Sequence, residues 1–164
     1  RRFSEQAKRV RFLVIGFDSE FSTADVARWS RENGLGGLGE NVIVTGRVAR
    51  PEAVINALDF GILASLGSEA IARAALEIMA SGVPLISSTT GVMPDLIPAE
   101  YSFEPGDTDV MAQRIVQAVD PSWRDGLAAY CHSRVLEGGL RLEDFLERTL
   151  DVYRPIVSER NSKF

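Results

Sequence analysis

Cysteine and histidine are almost missing from this 164-residue sequence, which contains one of each, Cys131 and His132. A single cysteine excludes an intrachain disulfide and is compatible with a reducing compartment such as the cytoplasm. A zinc site needs three or four ligands, and the sequence offers no cluster of suitable side chains, so we expect no metal. The two residues are also neighbours in a predicted helix, where adjacent side chains diverge, which argues against a Cys–His nucleophile pair.

Long apolar segments and an excess of basic residues are missing as well. No apolar stretch approaches the ~18 residues that a membrane-spanning helix needs, and no signal peptide is visible. The sequence has 18 lysines and arginines against 23 aspartates and glutamates, a balance that argues against a nucleic-acid-binding protein. Hydrophobic residues make up 45% of the chain, as in ordinary folded proteins, and the length predicts a single domain over residues 1–164.

Charge is unevenly distributed along the chain. Residues 1–50 contain nine basic and six acidic side chains, whereas the remainder contains nine basic and seventeen acidic side chains. We interpret the basic start, residues 1–11, as a solvated helix face, and a contact with a phosphate or an anionic membrane surface is the alternative. Because the chain starts with Arg1 and opens on a helical pattern, we expect it to be a fragment of a longer protein.

Short apolar runs alternate with helical patterns along the chain. We predict strands at residues 10–15, 41–45, 60–64, 84–88 and 101–104. We predict helices at residues 22–33, with Ser22 as N-cap, and at 51–58, 69–81, 107–119, 122–136 and 142–157. The alternation indicates right-handed crossovers and therefore an α/β fold with a doubly wound parallel sheet. Ligands of such sheets bind at the carboxyl ends of the strands. The loops to inspect follow Ile15, Thr45, Ala64 and Ser88.

A glycine-rich stretch, residues 34–39, matches the G-x-G-x-x-G pattern of dinucleotide-binding loops. A dinucleotide site needs that pattern after a strand and before a helix. Here it follows a predicted helix and precedes a predicted strand, so we interpret these glycines as a helix end and a turn. Trp29 and Trp123 lie on predicted helices and are interpreted as packing residues.

Two carboxylates, Glu69 and Glu77, are eight residues apart, and the first follows the loop after the third predicted strand. On a continuous helix they would be separated by about 12 Å along the axis, whereas paired acid and base carboxyls lie within about 5–9.5 Å of each other. The spacing suits two contacts at different ends of an elongated ligand. The residues at the helix start, Ala70 and Ala72, are small and would let a diphosphate approach the helix N-terminus. The diphosphate would then lie between the two ends of the ligand that the carboxylates contact. The alternative is an exposed salt-bridged stripe of Glu69, Arg73 and Glu77.

Several motifs occur together with this pair of carboxylates. They are Thr45-Gly46-Arg47-Val48, Glu77-Ile78-Met79-Ala80-Ser81-Gly82-Val83-Pro84, Thr90-Gly91-Val92-Met93-Pro94-Asp95 and Pro105-Gly106-Asp107. The combination closely resembles the carboxyl-terminal, donor-binding domain of retaining glycosyltransferases with the GT-B fold, family 4 type. The resemblance covers nearly all of the chain. It implies a Rossmann-like fold that forms the carboxyl-terminal half of a two-domain enzyme, with the first strand of that domain missing before Arg1.

The resemblance implies roles for the residues of the carboxylate segment. Glu69 matches the first motif carboxylate, which faces the donor sugar, and is the predicted catalytic residue. Glu77 matches the second, which binds the ribose hydroxyls. Ala70, Ile71 and Ala72 match the segment whose backbone amides approach the sugar and the diphosphate. The family usually has a Gly-Phe-Gly-like triplet there, so we expect Ile71 to narrow the pocket.

The resemblance also implies a nucleotide site in the first part of the chain. Gly46, Arg47 and Val48 match the loop beside the base, and Gly16 lies on the loop near the phosphates. The expected donor is a UDP- or GDP-sugar, with no cofactor and no required metal. The expected enzyme is cytoplasmic or peripheral at a membrane, and we expect this fragment to be inactive without its amino-terminal acceptor domain. The helix at 142–157 matches the terminal helix that crosses toward that domain, and residues 159–164 are expected to be a frayed tail.

Two other functions remain open. An epimerase or a phosphorylase that acts on a nucleotide sugar would share the same architecture. A non-catalytic α/β module, either nucleotide-binding or receiver-like and regulatory, is the other alternative. The receiver-like form would place an acidic cluster after the first strand, where Asp18 and Glu20 occur.

Overall fold

A computed structural model of the chain describes residues 10–16, 21–68 and 70–161, with side chains as far as residue 157. The chain divides into two compact units, Arg1–Ala53 and Val54–Phe164. Each pair of neighbouring strands in the described residues runs parallel. The predicted α/β fold with parallel strands is therefore confirmed.

The first unit contains a two-stranded parallel sheet and one helix. Strand β1 (Phe12–Val14) pairs with β2 (Val42–Val44), and helix α1 (Thr23–Glu32) connects them. The predicted N-cap of α1 is confirmed, because Ser22 Oγ accepts a hydrogen bond from the Asp25 amide at 3.2 Å. The Ser22 amide in turn donates to Asp25 Oδ2 at 3.0 Å. This reciprocal capping box fixes where the helix begins.

The glycine-rich stretch ends α1 and turns the chain toward β2. Gly34, Gly36 and Gly39 have φ angles of 73°, 79° and 92°, a conformation that favours glycine. The Gly34 amide donates to the Arg31 carbonyl at 3.1 Å, where the helix ends. The buried Ser30 hydroxyl donates to the Gly36 carbonyl at 2.9 Å. These contacts confirm the interpretation of the stretch as a helix end and a turn.

The second unit contains a three-stranded parallel sheet surrounded by helices. Helix α2 (Pro51–Ile55) leads into it. Its strands are β3 (Gly61–Leu63), β4 (Leu85–Ser88) and β5 (Ser102–Phe103), in the order β3-β4-β5. Its helices are α3 (Arg73–Ala80), α4 (Met93–Leu96), a 3-10 helix (Ala99–Tyr101), α5 (Thr108–Gln117), α6 (Pro121–Leu136) and α7 (Leu142–Asn161).

The core of the second unit is formed by β4 together with residues of α3, α4 and α6. The largest of its fully buried apolar side chains are Met79, Leu85, Ile86, Met93, Ile97, Leu127 and Cys131. A Cβ atom at Gly61 on β3 would lie 3.0 Å from two carbons of Ile78. The glycine therefore allows α3 to pack closely on the sheet. Burial raises the pKa of the Cys131 thiol to about 11.

The two tryptophans make aromatic contacts. Trp123 meets the ring of Tyr101 edge to face, with 5.0 Å between the ring centroids. Trp29 meets Phe21 in the same geometry at 5.2 Å and remains 38% exposed. The packing role predicted for Trp123 is confirmed, whereas Trp29 packs at the surface.

Several predicted helix bounds differ from the structure, and two short helices were not predicted. Helix α3 begins at Arg73, later than the predicted residue 69, because Ala72 has the left-handed angles φ 47° and ψ 45°, which a right-handed helix cannot contain. Helix α4 and the 3-10 helix were not predicted, since they are too short to show a helical period. Helix α7 continues to Asn161, beyond the predicted end at 157. The frayed tail expected at residues 159–164 stays a prediction, and residues 162–164 lie outside the described residues.

Candidate functional site

The first unit brings two predicted site residues together at the carboxyl ends of its strands. Gly16 follows β1, Gly46 follows β2, and the two glycines form an antiparallel bridge. The Thr45 amide donates to the Val14 carbonyl at 3.0 Å, which continues the strand pairing up to this bridge. Both glycines have positive φ, 148° and 64°, and no atom lies within 4 Å of the position that a Cβ would take. Among the described residues, nothing therefore crowds the backbone of these two glycines.

Two further predicted residues follow this bridge directly in the chain. Arg47 is exposed and Val48 is partly buried. The Thr45 hydroxyl donates to the Gly46 carbonyl at 2.8 Å, which fixes the peptide that precedes Arg47. The loop from Thr45 to Val48 is thus anchored at its start.

In the second unit, hydrogen bonds hold the loops at the carboxyl ends of the three strands. The hydroxyls of Ser88 and Thr90 both donate to the carbonyl of Ser65, each at 2.8 Å. The Thr89 amide donates to the Phe103 carbonyl at 2.9 Å and extends the pairing of β4 with β5. We refer to the contacts of Ser88 and Thr90 with Ser65 as the Ser65 tether. The tether was not predicted, although a run of hydroxyl residues, 87–90, at the end of an apolar strand was the available signal.

The predicted sugar and diphosphate segment lies just before α3. Ala70 and Ile71 are exposed, whereas Ala72 is buried. Ser68 shares the left-handed conformation of Ala72, with φ 52°. Strained backbone at non-glycine residues occurs preferentially at functional sites. The predicted catalytic residue, Glu69, lies outside the described residues.

The start of α3 presents backbone amides at the carboxyl edge of the sheet. In a β-α-β unit the helix runs back along the sheet, so it begins at the edge where the preceding strand ends. The first described i→i−4 bond of α3 is donated by the Leu76 amide to the Ala72 carbonyl at 3.1 Å. The amides of residues 73–75 come before that bond and lie at the positive end of the helix dipole. Such an end attracts an anion.

Glu77 lies one turn further along α3, and its side chain is exposed. Arg73, the other described member of the alternative salt-bridged stripe, forms no ion pair with Glu77 among the described residues. The structure therefore does not support a salt bridge between these two positions. Glu77 stays available at the surface of the helix.

Two apolar side chains, one before the predicted segment and one within it, are strongly exposed. Leu66 is 77% exposed and Ile71 is 72% exposed. A Cβ atom at Gly106, in the loop after β5, would lie 4.0 Å from Leu66 Cδ2. The loops after β3 and β5 are therefore neighbours at this edge. The proximity of Leu66 to the turn at Gly106 was not predicted.

A surface depression of about 300 Å³ lies at the other end of the sheet in the second unit. Pro84, which directly precedes β4, lines it, as do Asp59, Arg124 and Asp125. The Arg124 guanidinium donates to the carbonyl of Ala118 at 2.7 Å, so it closes the end of α5. None of the predicted site residues lines this depression.

The described part of the chain offers neither a metal site nor a membrane-spanning helix. It contains no group of three or more His, Cys, Asp or Glu side chains that could hold a metal ion. His132 is exposed on α6. No helix within these ranges combines the length and apolar character needed to cross a bilayer.

Solved structures of other proteins share this fold. One is sucrose-phosphate synthase from Thermosynechococcus elongatus, with a TM-score of 0.73 and 23% identity over 90% of this chain and 38% of that chain. Another is Anabaena HepE in complex with UDP-glucose, with a TM-score of 0.66 and 19% identity over 94% of this chain and 41% of that chain. A third is the C-terminal domain of LpcC, a glycosyl transferase group 1 family protein from Francisella tularensis, with a TM-score of 0.64 and 19% identity. That match covers 80% of this chain and 89% of that chain.

The structural matches differ in how much of each protein they include. This chain spans well under half of the synthase and of HepE, but it spans most of the LpcC domain. Among curated proteins no sequence matches this chain. The family model described as "Glycosyl transferases group 1" matches residues 1–120. The chain therefore belongs to the group 1 glycosyl transferase family.

Proposed function

We propose that the chain is the donor-binding, carboxyl-terminal part of a retaining GT-B glycosyltransferase of the family 4 type. It takes a sugar from a nucleotide-diphosphate sugar and, with an acceptor-binding domain, transfers it to an acceptor. The observation that carries this proposal is the position of α3. In a chain whose residues 1–120 match the family model, α3 bears Glu77 and begins at the carboxyl edge of the sheet, directly after the loop that contains Glu69.

The chemistry of the start of α3 supports a diphosphate. The amides of residues 73–75 and the helix dipole together stabilise negative charge. During transfer, negative charge accumulates on the leaving diphosphate, and donors that are already oriented toward it lower the barrier. The proposed reaction therefore depends on positioning and on stabilisation of the leaving group, without a nucleophile from the protein.

Carboxylates recognise the hydroxyl groups of the donor. The exposed Glu77 accepts hydrogen bonds from the two ribose hydroxyls, since a carboxylate has two oxygens and no proton to donate. Glu69 faces the donor sugar in the family that this chain resembles. In the family that this chain resembles, the residue that matches Gly16 lies near the phosphates, and the residues that match Gly46, Arg47 and Val48 lie beside the base.

The nucleotide is proposed from the neighbours as well as from the residues. HepE has been solved with UDP and with UDP-glucose, and GtfA with UDP and GlcNAc. A uridine donor is therefore the first to test, with a guanosine donor as the alternative. The proposed setting is polysaccharide synthesis in the cytoplasm or at the surface of a membrane.

The exposed apolar face of helix α7 is an argument for contact with a second domain. Its exposed apolar side chains recur every three or four residues, the spacing of one helix face. Those on this face are Leu142, Phe145, Leu146, Leu150, Tyr153, Ile156 and Val157, all about half exposed or more, whereas Val152, 64% exposed, lies off it. Such a face is buried in intact proteins. We assign it to the acceptor-binding domain of the same polypeptide, and we expect the 164-residue chain to bind nucleotide weakly and to transfer sugar slowly or not at all.

Calorimetric titration tests the proposal. Wild-type protein and the variants Glu77→Gln and Glu100→Gln are titrated with UDP, UDP-glucose and GDP. Loss of one charged hydrogen-bond acceptor should weaken UDP binding about tenfold or more in Glu77→Gln. Glu100, an exposed carboxylate in the 3-10 helix, is the matched control and should leave the affinity unchanged.

Two results would contradict the proposal. Equal UDP affinity in Glu77→Gln and wild type would remove Glu77 from the site. Binding of Mg²⁺ without binding of any nucleotide diphosphate would favour the receiver-like module. Product analysis with and without an acceptor distinguishes a transferase from an epimerase or a phosphorylase.

A further inference from the structure

We propose that Ser88 and Thr90 are positioning residues for sugar transfer, because the Ser65 tether holds the loop after β3, residues 64–68, in place for the donor. This inference rests on the proposed donor-binding function. Neither residue belongs to the predicted site. Both act through the carbonyl of Ser65, which their hydroxyls reach at 2.8 Å.

In the tether, both lone pairs of the Ser65 carbonyl oxygen accept a hydrogen bond. A carbonyl has two lone pairs, and two hydroxyl donors occupy both. The hydroxyl oxygens of Ser88 and Thr90 lie 3.2 Å apart, so each also limits the rotamer of the other. Ser88 is 1% exposed and Thr90 is 7% exposed. Water competes little with hydrogen bonds in such a place.

The tether is fixed on the side of Thr90 and not on the side of the loop. Thr89, next in the chain, donates its amide to Phe103 of β5 at 2.9 Å. The carbonyl of Thr90 accepts the Met93 amide at 3.1 Å where α4 begins. Ser88 is itself part of β4. The two hydroxyls therefore project from the rigid sheet, and it is the Ser65 carbonyl that they restrain.

Little apolar burial holds the described part of the loop. Leu66, its largest side chain, is 77% exposed and contributes little apolar burial. Ser68 has a left-handed φ of 52° without being glycine. Such a conformation persists only where its surroundings impose it. Hydrogen bonds to Ser65, three residues earlier, supply that restraint.

The consequence for catalysis follows from the position of the loop. It ends just before the segment that leads into α3, whose first amides are proposed to meet the diphosphate. A displacement of about 1 Å in a catalytic arrangement can cost on the order of a hundredfold in rate. Loss of the tether should therefore reduce turnover more than it reduces nucleotide affinity.

The test uses the full-length enzyme and two measurements. Ser88→Ala and Thr90→Val remove the hydroxyls, whereas Ser88→Thr and Thr90→Ser retain them. Ser102→Ala is the matched control, because Ser102 is also buried and its hydroxyl donates to the Pro98 carbonyl at 3.0 Å, outside the loop. Hydrogen exchange by mass spectrometry follows the peptide that contains residues 64–68, and steady-state kinetics gives kcat and KM for the donor.

The tether predicts a specific pattern. Exchange of the loop should be about fivefold faster in Ser88→Ala and in Thr90→Val. Their kcat should fall about tenfold, with KM for the donor changed less than about twofold. Ser88→Thr and Thr90→Ser should restore both values, and Ser102→Ala should change neither.

Each contrary outcome has a separate meaning. Unchanged loop exchange in both hydroxyl-deleted variants, or equal effects in Ser102→Ala, would overturn the tether even if the enzyme transfers sugar normally. Faster exchange with unchanged kcat would overturn the positioning role. A wild-type enzyme that binds and turns over no nucleotide sugar would contradict the proposed function instead, and the exchange measurement would still decide for or against the tether.

Discussion

The thiol of Cys131 connects the packing of the second unit to a measurable dependence of stability on pH. Cys131 lies on α6, is 0% exposed and belongs to the same core as Leu85 and Leu127. Removal from water disfavours the thiolate, which raises the pKa of the thiol from 9.0 to about 11. Unfolding returns the thiol to water. As the pH rises, the unfolded state therefore loses this proton before the folded state does.

The direction and the size of the effect follow from this difference. The thiol contributes its full share of stability below pH 9, and the contribution is lost as the pH rises toward 11. A pKa difference of about two units corresponds to about 3 kcal/mol when the loss is complete. Between pH 8 and pH 10 the loss should be about 1.3 kcal/mol.

Urea denaturation of the wild type and of Cys131→Ala at several pH values measures this loss. The variant is less stable at pH 7 because it lacks the buried sulfur atom, but it has no thiol to titrate. The difference in unfolding free energy between the two proteins should shrink by about 1.3 kcal/mol from pH 8 to pH 10. Other groups titrate equally in both proteins and cancel. Parallel curves over this range, or rapid labelling of the native thiol at pH 8, would refute the reasoning.

The remaining stability predictions concern glycines and a buried serine. Gly61→Ala should lower the free energy of unfolding by about 1–3 kcal/mol, because its Cβ would be forced against Ile78. Gly126 lies within α6, and an added Cβ would meet no described atom within 4 Å outside its own stretch of helix, so Gly126→Ala should raise the free energy of unfolding by about 0.5–1 kcal/mol. Changes of equal sign in the two glycine variants would contradict the packing at Gly61. Ser87→Ala should stabilise by about 1 kcal/mol, since Ser87 Oγ is buried without a hydrogen-bond partner among the described residues; urea denaturation checks all three.

The parts of the fold that follow from local chemistry could be predicted from the sequence. Ser22 and Asp107 are good N-cap residues, and each accepts an amide hydrogen bond at the start of its helix. The positions of Gly16 and Gly46 after the first two strands could also be predicted, whereas their contact depends on a register that the structure gives. Val14 pairs with Val44 in the parallel register, so the residues two positions further along both strands must be neighbours.

The parts that depend on distant contacts could not be predicted. The Ser65 tether joins residues 23 and 25 positions apart, and no local pattern specifies such a pair. Helix α4 has four residues, fewer than the periodicity needs. The role of Glu69 remains a prediction, because that residue lies outside the described part of the chain.

The start of α3 shows most clearly where a sequence pattern misleads. Residues 70–76 include four alanines, and alanine is the best helix former, so the pattern predicts a helix through all of them. The structure instead has Ala72 in the left-handed region and begins the helix one residue later. The helical rise therefore gives no distance between Glu69 and Glu77. Only Glu77 is placed by the helix.

Substitutions of Ala72 test this late start, because the two backbone conformations predict opposite orders of stability. In the left-handed conformation, Ala72→Gly relieves about 1–2 kcal/mol of backbone strain. The variant also loses a buried methyl group and gains freedom in the unfolded chain, which together cost about 1.3–1.8 kcal/mol. The gain and the cost nearly cancel. The variant should be nearly as stable as wild type. Ala72→Val should lose about 2 kcal/mol or more, because a β-branched residue tolerates that conformation poorly and the site is buried.

A right-handed helical conformation at Ala72 would reverse this order. Glycine would then cost about 1 kcal/mol in helix propensity in addition to the lost methyl group, whereas valine would cost less than about 1 kcal/mol in propensity. Urea denaturation of the two variants beside wild type decides between the conformations. A glycine variant clearly less stable than the valine variant would move the start of α3 back toward residue 69, and the proposed position of the diphosphate amides would move with it.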